Sequence, residues 1–277
     1  MKCVATFIRV KTKDFHIEKY HLKTPMANMH FHHAYELYFI LTGTRDYFIE
    51  DQFFKVGDGE LAIIPSDALH RTAGKGATRF LVYFTPEFLE HYFTKPTCDL
   101  LTAPLKPAVF HPSPENRARL TELMSLLLRE YERNQKEKTV ERGSEIAFLL
   151  SDLLRLIAKL PNAAEQNENP DPRNARIVKY INENYSEITS VDDVAKQFFM
   201  SKYYFCKLFR KNMGIPLFTY INTIKIQHAC SIMRGEKCNL TEIATRCGFN
   251  TSSYFCKVFK SVMGISPSEY RKWHTSL

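Results

Sequence analysis

Two lysines, Lys207 and Lys257, occupy the same place in a motif that occurs twice near the C-terminus. Residues 201–209 read Ser-Lys-Tyr-Tyr-Phe-Cys-Lys-Leu-Phe, and residues 251–259 read Thr-Ser-Ser-Tyr-Phe-Cys-Lys-Val-Phe. A lysine ammonium can bind phosphate or the acceptor atoms of guanine, and a serine hydroxyl can bond to either kind of base. The repeat therefore indicates a protein that binds nucleic acid at two related places.

These residues are predicted to lie on amphipathic helices over 202–213 and 252–263. At helical spacing, Phe205 and Phe209 fall on one face of the first helix, and the basic and polar residues fall on the opposite face. Each lysine alone would also fit plain solvated charge, but recurrence at the same phase favours DNA contact. The predicted DNA-contacting residues are Ser201, Lys202, Tyr203, Cys206, Lys207, Arg210, Asn250, Ser252, Ser253, Cys256, Lys257 and Lys260.

A short helix precedes each of these helices. Val194-Ala195 corresponds to Ile243-Ala244 at an offset of 49 residues, whereas the Tyr-Phe-Cys-Lys core repeats at an offset of 50. The second copy should therefore have one more residue in its turn. A helix, a tight turn and a recognition helix that enters the major groove form a helix-turn-helix unit. The remaining predicted helices of this region are 175–185, 191–198, 217–234 and 240–247.

Positive charge is concentrated in this part of the chain. Residues 173–277 contain 16 Lys and Arg against 7 Asp and Glu, whereas residues 1–172 contain 22 against 23. This asymmetry favours a polyanion-binding module joined to a near-neutral one over charge that serves solubility alone. The polar, proline-bracketed stretch 161–172 is typical of a linker. We therefore predict domains over 1–160 and 173–277.

The composition also limits the class of protein. The sequence has no run of about 18 apolar residues that would suggest a transmembrane helix. Its first residues are too broken by charge for a signal peptide. Its seven cysteines include no Cys-x-x-Cys pair, so reduced thiols are expected. We expect a cytoplasmic protein without a membrane partner.

The N-terminal region is predicted to be strand-rich. Short β-branched and aromatic runs at 37–41, 45–50, 61–64 and 79–84 alternate with turns that contain glycine or aspartate. A barrel or sandwich would close such strands. Leucines at helical spacing predict an antiparallel helical pair within 114–160, with segments at 114–134 and 141–160. The apolar stripes of this pair suit both core packing and contact with a second subunit.

The second copy of the repeat contains a long motif, Ile243-Ala244-x3-Gly248-Phe249-x4-Tyr254-Phe255-x-Lys257-x-Phe259-Lys260-x3-Gly264-x2-Pro267-x2-Tyr270-Arg271. Through this motif, the region from about residue 173 to 274 resembles the DNA-binding domain of AraC/XylS-family transcription regulators. The resemblance implies that a long helix, here 217–234, holds two recognition helices in successive major-groove turns. The chain departs from the family pattern in two ways: lysine replaces the commoner arginine at 207 and 257, and Phe199 occupies a turn position where glycine is frequent, so we expect a distorted turn.

The N-terminal region resembles the cupin superfamily through its histidines. His30-Phe-His32-His33-Ala-Tyr-Glu36 is followed by Gly59-x5-Pro65 and by His70, although Asp67 stands where the second cupin motif has glycine. The resemblance implies His30, His32, Glu36 and His70 as ligands if a metal such as Fe, Mn, Ni or Zn is bound. A pocket for a small ligand is the preferred interpretation, a purely structural role is the other alternative, and no resident metal or cofactor is predicted. The predicted pocket residues are His30, His32, Glu36, His70, Tyr38, Tyr47, Arg45 and Arg9.

Together these observations predict an α+β protein of two domains. A cupin or jelly-roll β-barrel with its flanking helical pair would precede an all-α domain with two helix-turn-helix motifs joined by a long helix. The predicted function is sequence-specific regulation of transcription, as an activator controlled by a small molecule such as a sugar. Double-stranded promoter or operator DNA, a second subunit and RNA polymerase are the expected partners. The alternatives are a metal-dependent cupin enzyme with an accessory basic domain, and a DNA-binding protein without an effector.

Overall fold

The computed structural model describes residues 6–7, 15–22, 29–74, 76–137, 140–161 and 172–275. The chain separates into two compact units. One comprises Met1–Ile8, Ala27–Phe31 and Asn169–Leu277, and the other comprises Arg9–Met26 and His32–Glu168. Most of the predicted linker, residues 162–171, lies outside the described residues.

Short strands dominate the unit that contains His32–Glu168, as the alternating sequence predicts. One sheet has the order β10-β7-β4-β9-β2 and is antiparallel throughout, and β8, β5 and β6 form antiparallel pairs in a second sheet. In the other unit, β1 pairs in parallel with β3. The strands are Thr6–Phe7 (β1), Phe15–Leu22 (β2), His30–Phe31 (β3), Tyr35–Gly43 (β4), Arg45–Ile49 (β5), Gln52–Val56 (β6), Leu61–Ile64 (β7), His70–Ala73 (β8), Ala77–Phe84 (β9) and Ala108–Phe110 (β10).

The helical pair predicted within 114–160 is present as Pro114–Glu137 (α3) and Val140–Ile157 (α4). Leu37 and Phe39 of β4 belong to the same buried core as leucines of both helices, so one face of the larger sheet packs against the pair. Asn116 N–H donates to the Ser113 hydroxyl at 3.3 Å, which is the predicted helix start.

Two short helices, Pro86–Tyr92 (α1) and Lys95–Thr102 (α2), were not predicted. Thr85 caps α1 by accepting a hydrogen bond from Phe88 N–H, and proline follows each capping threonine within two residues. A threonine followed by proline at the first helical positions is a helix start, and this signal was present in the sequence.

The second unit is helical beyond residue 172. Ser190, Ser201, Asn239 and Thr251 cap the four helices of the two helix-turn-helix units, each with a side-chain oxygen that accepts a backbone N–H. The helices are Pro172–Asn184 (α5), Val191–Gln197 (α6), Lys202–Met213 (α7), Leu217–Gly235 (α8), Leu240–Arg246 (α9), Ser252–Met263 (α10) and Pro267–Thr275 (α11). Only α11 was not predicted.

The interior of this unit is built from the repeated aromatic residues. Phe205, Phe209, Phe255 and Phe259 are completely buried, as the helical spacing predicts. Leu208, which also falls on the inner face of α7, is only partly buried. Across the described part of the chain, no helix combines the length and the hydropathy that crossing a bilayer requires.

The two turns differ in length as predicted, since residues 198–201 separate α6 from α7 and residues 247–251 separate α9 from α10. The expected distortion at Phe199 is wrong. Phe199 adopts a left-handed conformation with φ of 54°, and Gly248 adopts the same conformation with φ of 72°. Their N–H groups donate to Lys196 O at 3.0 Å and to Thr245 O at 2.9 Å. The shape of the turn is therefore kept, and Phe199 bears backbone strain that glycine avoids.

Candidate functional site

The predicted DNA-contacting residues lie outward on α7 and α10. Tyr203 is 79% exposed and lies one turn before Lys207 on α7. The partly buried members of the set are Cys206, Ser252 and Cys256. The exposed members are Ser201, Lys202, Tyr203, Lys207, Arg210, Asn250, Ser253, Lys257 and Lys260. Each copy thus presents one basic, polar helix face that is available to a partner.

The first residue of each recognition helix is held by the helix before it. Lys202 Nζ donates to Asp192 Oδ2 at 2.7 Å, and this hydrogen bond and the charge of Asp192 raise the pKa of Lys202. In the second copy, Ser252 Oγ donates to Thr241 Oγ1 at 3.1 Å. The two contacts join equivalent positions with different chemistry, so the recognition faces are related but unequal.

A buried lysine links the two copies and was not predicted as a functional residue. Lys225 of α8 is 5% exposed, and its ammonium donates to Ile188 O at 3.2 Å and to Gly248 O at 2.7 Å. Burial lowers the pKa of Lys225. These bonds tie the residues before α6 to the turn before α10. A lysine on the apolar face of a long helix was the available signal.

A cluster of buried polar side chains lies between the two sheets of the other unit. Residues directly opposite each other in an antiparallel pair of strands lie on the same face of the sheet. Ile40 and Arg79 therefore share the inner face of one sheet, and Tyr47 and Thr72 share the inner face of the other. The Tyr38 and Tyr47 rings, one from each sheet, are 5.2 Å apart. We define the polar chamber by its buried members Glu36, Tyr38, Arg45, Tyr47, His70, Thr72 and Arg79.

Glu36 is the centre of a buried network at one side of the chamber. His32 Nε2 lies 2.8 Å from Glu36 Oε1, and His70 Nε2 lies 3.5 Å from Glu36 Oε2. Burial would raise the pKa of Glu36, but the charge of His32 and the hydrogen bonds from both histidines hold it well below its usual range. Burial opposes protonation of His32, yet Glu36 outweighs it and raises the pKa of His32. Each of the two groups therefore favours the charged form of the other.

Arginine and tyrosine occupy the rest of the chamber. The Arg79 guanidinium lies 4.9 Å from the centre of the Tyr38 ring, and its Nη2 is 3.8 Å from the partly exposed Glu18 Oε1. Arg45 Nη2 donates to Thr72 Oγ1 at 3.4 Å. The chamber thus contains two buried guanidinium groups.

Most of the predicted pocket residues meet in this chamber. His32, Glu36, Tyr38, Arg45, Tyr47 and His70 are all buried in one unit, whereas His30 is buried in β3 of the other and Arg9 lies outside the described residues. Arg79 was missed. Because Phe80, Val82 and Phe84 form the apolar face of β9, strand alternation could have identified Arg79 on the opposite face.

His32, Glu36 and His70 fit a divalent transition metal in donor type, with two imidazoles and one carboxylate. His70 Nδ1 donates to Ala68 O at 2.8 Å, an outer bond of the kind that orients a metal ligand. The direct 2.8 Å contact of His32 with Glu36 is equally well satisfied by a proton between the two groups. The donor set is therefore compatible with either occupant.

Family models match both units. Residues 194–272 match a model described as a helix-turn-helix domain. Residues 16–172 match a model described as an AraC-like ligand binding domain, which covers more than half of the chain.

Similar proteins are named as regulators. YijO of Escherichia coli, an uncharacterized HTH-type transcriptional regulator, is 32% identical over 35% of each chain. The transcriptional activator RhaS of E. coli is 26% identical over 53% of this chain and 52% of its own length. Thus the chain matches about a third to a half of these relatives' lengths. A crystal structure of ToxT from Vibrio cholerae aligns over 96% of this chain and 100% of its own at 16% identity, with a TM-score of 0.38.

Proposed function

The chain belongs to the AraC family of transcription regulators, and on that basis we propose that it is a sequence-specific DNA-binding activator controlled by a small molecule. The observation that carries the proposal is the pair of exposed, basic recognition faces on α7 and α10, each capped by a hydroxyl at its start and by a left-handed glycine at its end. The name of RhaS as an activator supports the sign of regulation. We propose a regulator rather than an enzyme, acting in the cytoplasm.

Each recognition helix should contribute separately to DNA affinity. Lys207→Ala and Lys257→Ala should each weaken binding to promoter DNA by on the order of tenfold, because each removes a cation that can reach phosphate or guanine. Genome-wide mapping of bound DNA supplies the promoter fragments, and fluorescence anisotropy at about 0.15 M salt measures the affinity.

Lys211→Ala is the matched control, since this exposed lysine lies on α7 outside the predicted contact set. It should bind DNA as tightly as wild type. If both Lys207→Ala and Lys257→Ala also match wild type, the recognition-helix assignment is wrong. If a lysine contacts a phosphate, its removal should lower the slope of log affinity against log salt concentration by about one. If it contacts a base, its removal should change the preferred DNA sequence.

We propose that the polar chamber is the effector site. The support is a set of buried polar side chains between two sheets, whereas the opposite face of the β10-β7-β4-β9-β2 sheet packs against an apolar core. The family resemblance favours a sugar or a related metabolite. An effector can change DNA affinity only if it binds more tightly to one of two arrangements of the protein. Thermal-shift screening with metabolites related to the mapped target genes should therefore find a ligand that also alters DNA affinity.

We propose that the chamber works without a resident metal, because His32 Nε2 lies 2.8 Å from Glu36 Oε1 and a proton can bridge these two atoms. Elemental analysis of the purified protein should find less than about a tenth of an equivalent of transition metal. One equivalent would contradict this proposal and would revive the alternative of a metal-dependent cupin enzyme.

We propose a homodimer formed through α3 and α4, with RNA polymerase as a further partner at activated promoters. Phe148 on α4 is 58% exposed, which supports contact with a second subunit. Analytical ultracentrifugation should give a dimer for wild type and a monomer for Phe148→Asp, whereas Glu145→Asp on an exposed position of the same helix should remain dimeric. A wild-type monomer at micromolar concentration would exclude this contact.

A further inference from the structure

The polar chamber contains a buried arginine, Arg79, whose guanidinium is only partly bonded, and a second buried arginine, Arg45, lies beside it. Arg79 is 3% exposed and Arg45 is 1% exposed. Glu36 is the one carboxylate among the described residues that define the chamber, and it already lies beside two histidines. A buried charge is costly unless it is paired, so such an arrangement calls for an anion.

Arg79 is incompletely bonded within the described residues. Its Nε and Nη1 atoms are buried and have no hydrogen-bond partner in the part of the chain that the structure describes. Its Nη2 lies 3.8 Å from Oε1 of the partly exposed Glu18. Because an unmade hydrogen bond to a buried charged donor is expensive, two donors of the planar guanidinium fork remain available to a ligand.

The neighbouring groups complete a recognition surface. The Tyr47 hydroxyl is also buried and without a hydrogen-bond partner among the described residues. Burial raises the pKa of Tyr47, and the positive charges of Arg79 and Arg45 oppose that rise. Burial lowers the pKa of Arg45, and repulsion by Arg79 acts in the same direction. An anion placed among these groups would relieve the repulsion.

We propose that the effector is a small organic acid whose anionic group binds Arg79, with Arg45 and the Tyr47 hydroxyl beside it. This inference rests on the proposal that the chamber binds an effector, and it narrows the ligand class from sugars in general to acids. A bidentate bond to the guanidinium fork suits a carboxylate or a phosphate. The tyrosine rings and the side chains of Ile40 and Ile49 would cover the uncharged body of the ligand.

Stability of the unliganded protein gives a first test. Arg79→Met in the full chain should leave Tm unchanged or raise it by a few degrees, because a residue kept for binding leaves an underbonded charge when no ligand is bound. A Tm more than about 5 °C below wild type would show that Arg79 is a structural brace and would overturn the proposal.

Binding of matched acids and neutral compounds gives the second test. The pairs are galacturonate with galactose, glucuronate with glucose, glucose 6-phosphate with glucose, and benzoate with benzamide, at equal ionic strength. At about 100-fold excess over Kd, a bound acid should raise Tm by roughly 5 °C, and its neutral counterpart should not. Arg79→Met should lose this response. Arg71→Met should keep it, because Arg71 lies between His70 and Thr72 on the opposite face of β8.

Comparison of the carboxylates with glucose 6-phosphate shows whether the anionic group that binds Arg79 is a carboxylate or a phosphate. A neutral compound that stabilises the protein as much as its acid, or an acid response that survives in Arg79→Met, would overturn the inference while leaving effector binding intact. The proposed function fails by a different result, namely unchanged DNA affinity in the two lysine variants.

Discussion

The two helix-turn-helix units are built on one scaffold, yet they meet the same steric demand in different ways. Both turns contain one residue in the left-handed region, which is Phe199 in the first unit and Gly248 in the second. Phe199 is 99% exposed, so its side chain meets nothing and only the backbone is strained. A Cβ at Gly248 would lie 1.9 Å from Ser186 O. The first turn therefore tolerates a residue other than glycine, whereas the second turn requires glycine.

This difference is visible only when both copies are compared. Positive φ alone would predict similar costs for a side chain at either position. The packing around Gly248 decides otherwise, because the chain before α6 runs close to the second turn and Lys225 bonds to both. The turn of the second helix-turn-helix is thus bonded to the segment before α6, whereas the turn of the first is open to solvent.

The largest effect should come from Gly248→Ala. The new Cβ would clash with the backbone at Ser186 in addition to adopting an unfavourable φ, so we expect a loss of roughly 3 kcal/mol in the free energy of unfolding. Urea denaturation measures this. Phe199→Ala is the control and should change stability by less than about 1 kcal/mol. Equal losses in the two variants would contradict the comparison.

Lys225→Met should have the next largest effect. The substitution leaves Ile188 O and Gly248 O without the ammonium that now binds both, and we expect a loss of about 2 kcal/mol. The same denaturation experiment applies, with Lys211→Met as the exposed control. A variant as stable as wild type would mean that water replaces the ammonium at no cost.

Tyr203→Ser should separate the two recognition faces. The substitution places in the first copy the residue type that Ser253 provides in the second copy. The affinity for DNA should therefore change by about tenfold when base pairs are altered in the half-site that α7 contacts, and not when they are altered in the half-site that α10 contacts. Selection from a random DNA library compares the preferred sites of the two proteins. A change spread evenly over both half-sites would argue against unequal faces.

The smallest effect should come from Phe199→Gly. Removing the side chain relieves the strain of a left-handed phenylalanine, and the loss of a freely exposed ring costs little, so stability should rise by about 0.5–1 kcal/mol. Urea denaturation again decides. Lower stability would mean that Phe199 makes a contact that compensates for its conformation.

Much of the fold could be predicted from local signals. The bounds of α7 and α10 were predicted exactly, because Ser201 and Thr251 mark their starts and Gly214 and Gly264 their ends. The bounds of β7 were also exact, whereas α1, α2 and α11 were missed. Those helices are short, and their apolar residues are too few to establish a period.

The candidate sites were only partly predictable. Repetition identified the outward faces of α7 and α10, because two copies at one phase separate core from surface. Arg79 and Lys225 were not identified, since neither recurs in the sequence and each is a single cation among mostly apolar neighbours. Their roles depend on partners that are distant in sequence, such as Tyr38 for Arg79.

The sequence by itself determined the two helix-turn-helix units, their unequal outer faces and the extra residue in the second turn, because caps, helical periodicity and charge act over a few residues. Tertiary structure alone decided that Gly248 has no room for a side chain and that two buried arginines share one chamber. Steric exclusion and the pairing of buried charge depend on which segments, distant in sequence, come into contact. Local sequence patterns do not reveal those contacts.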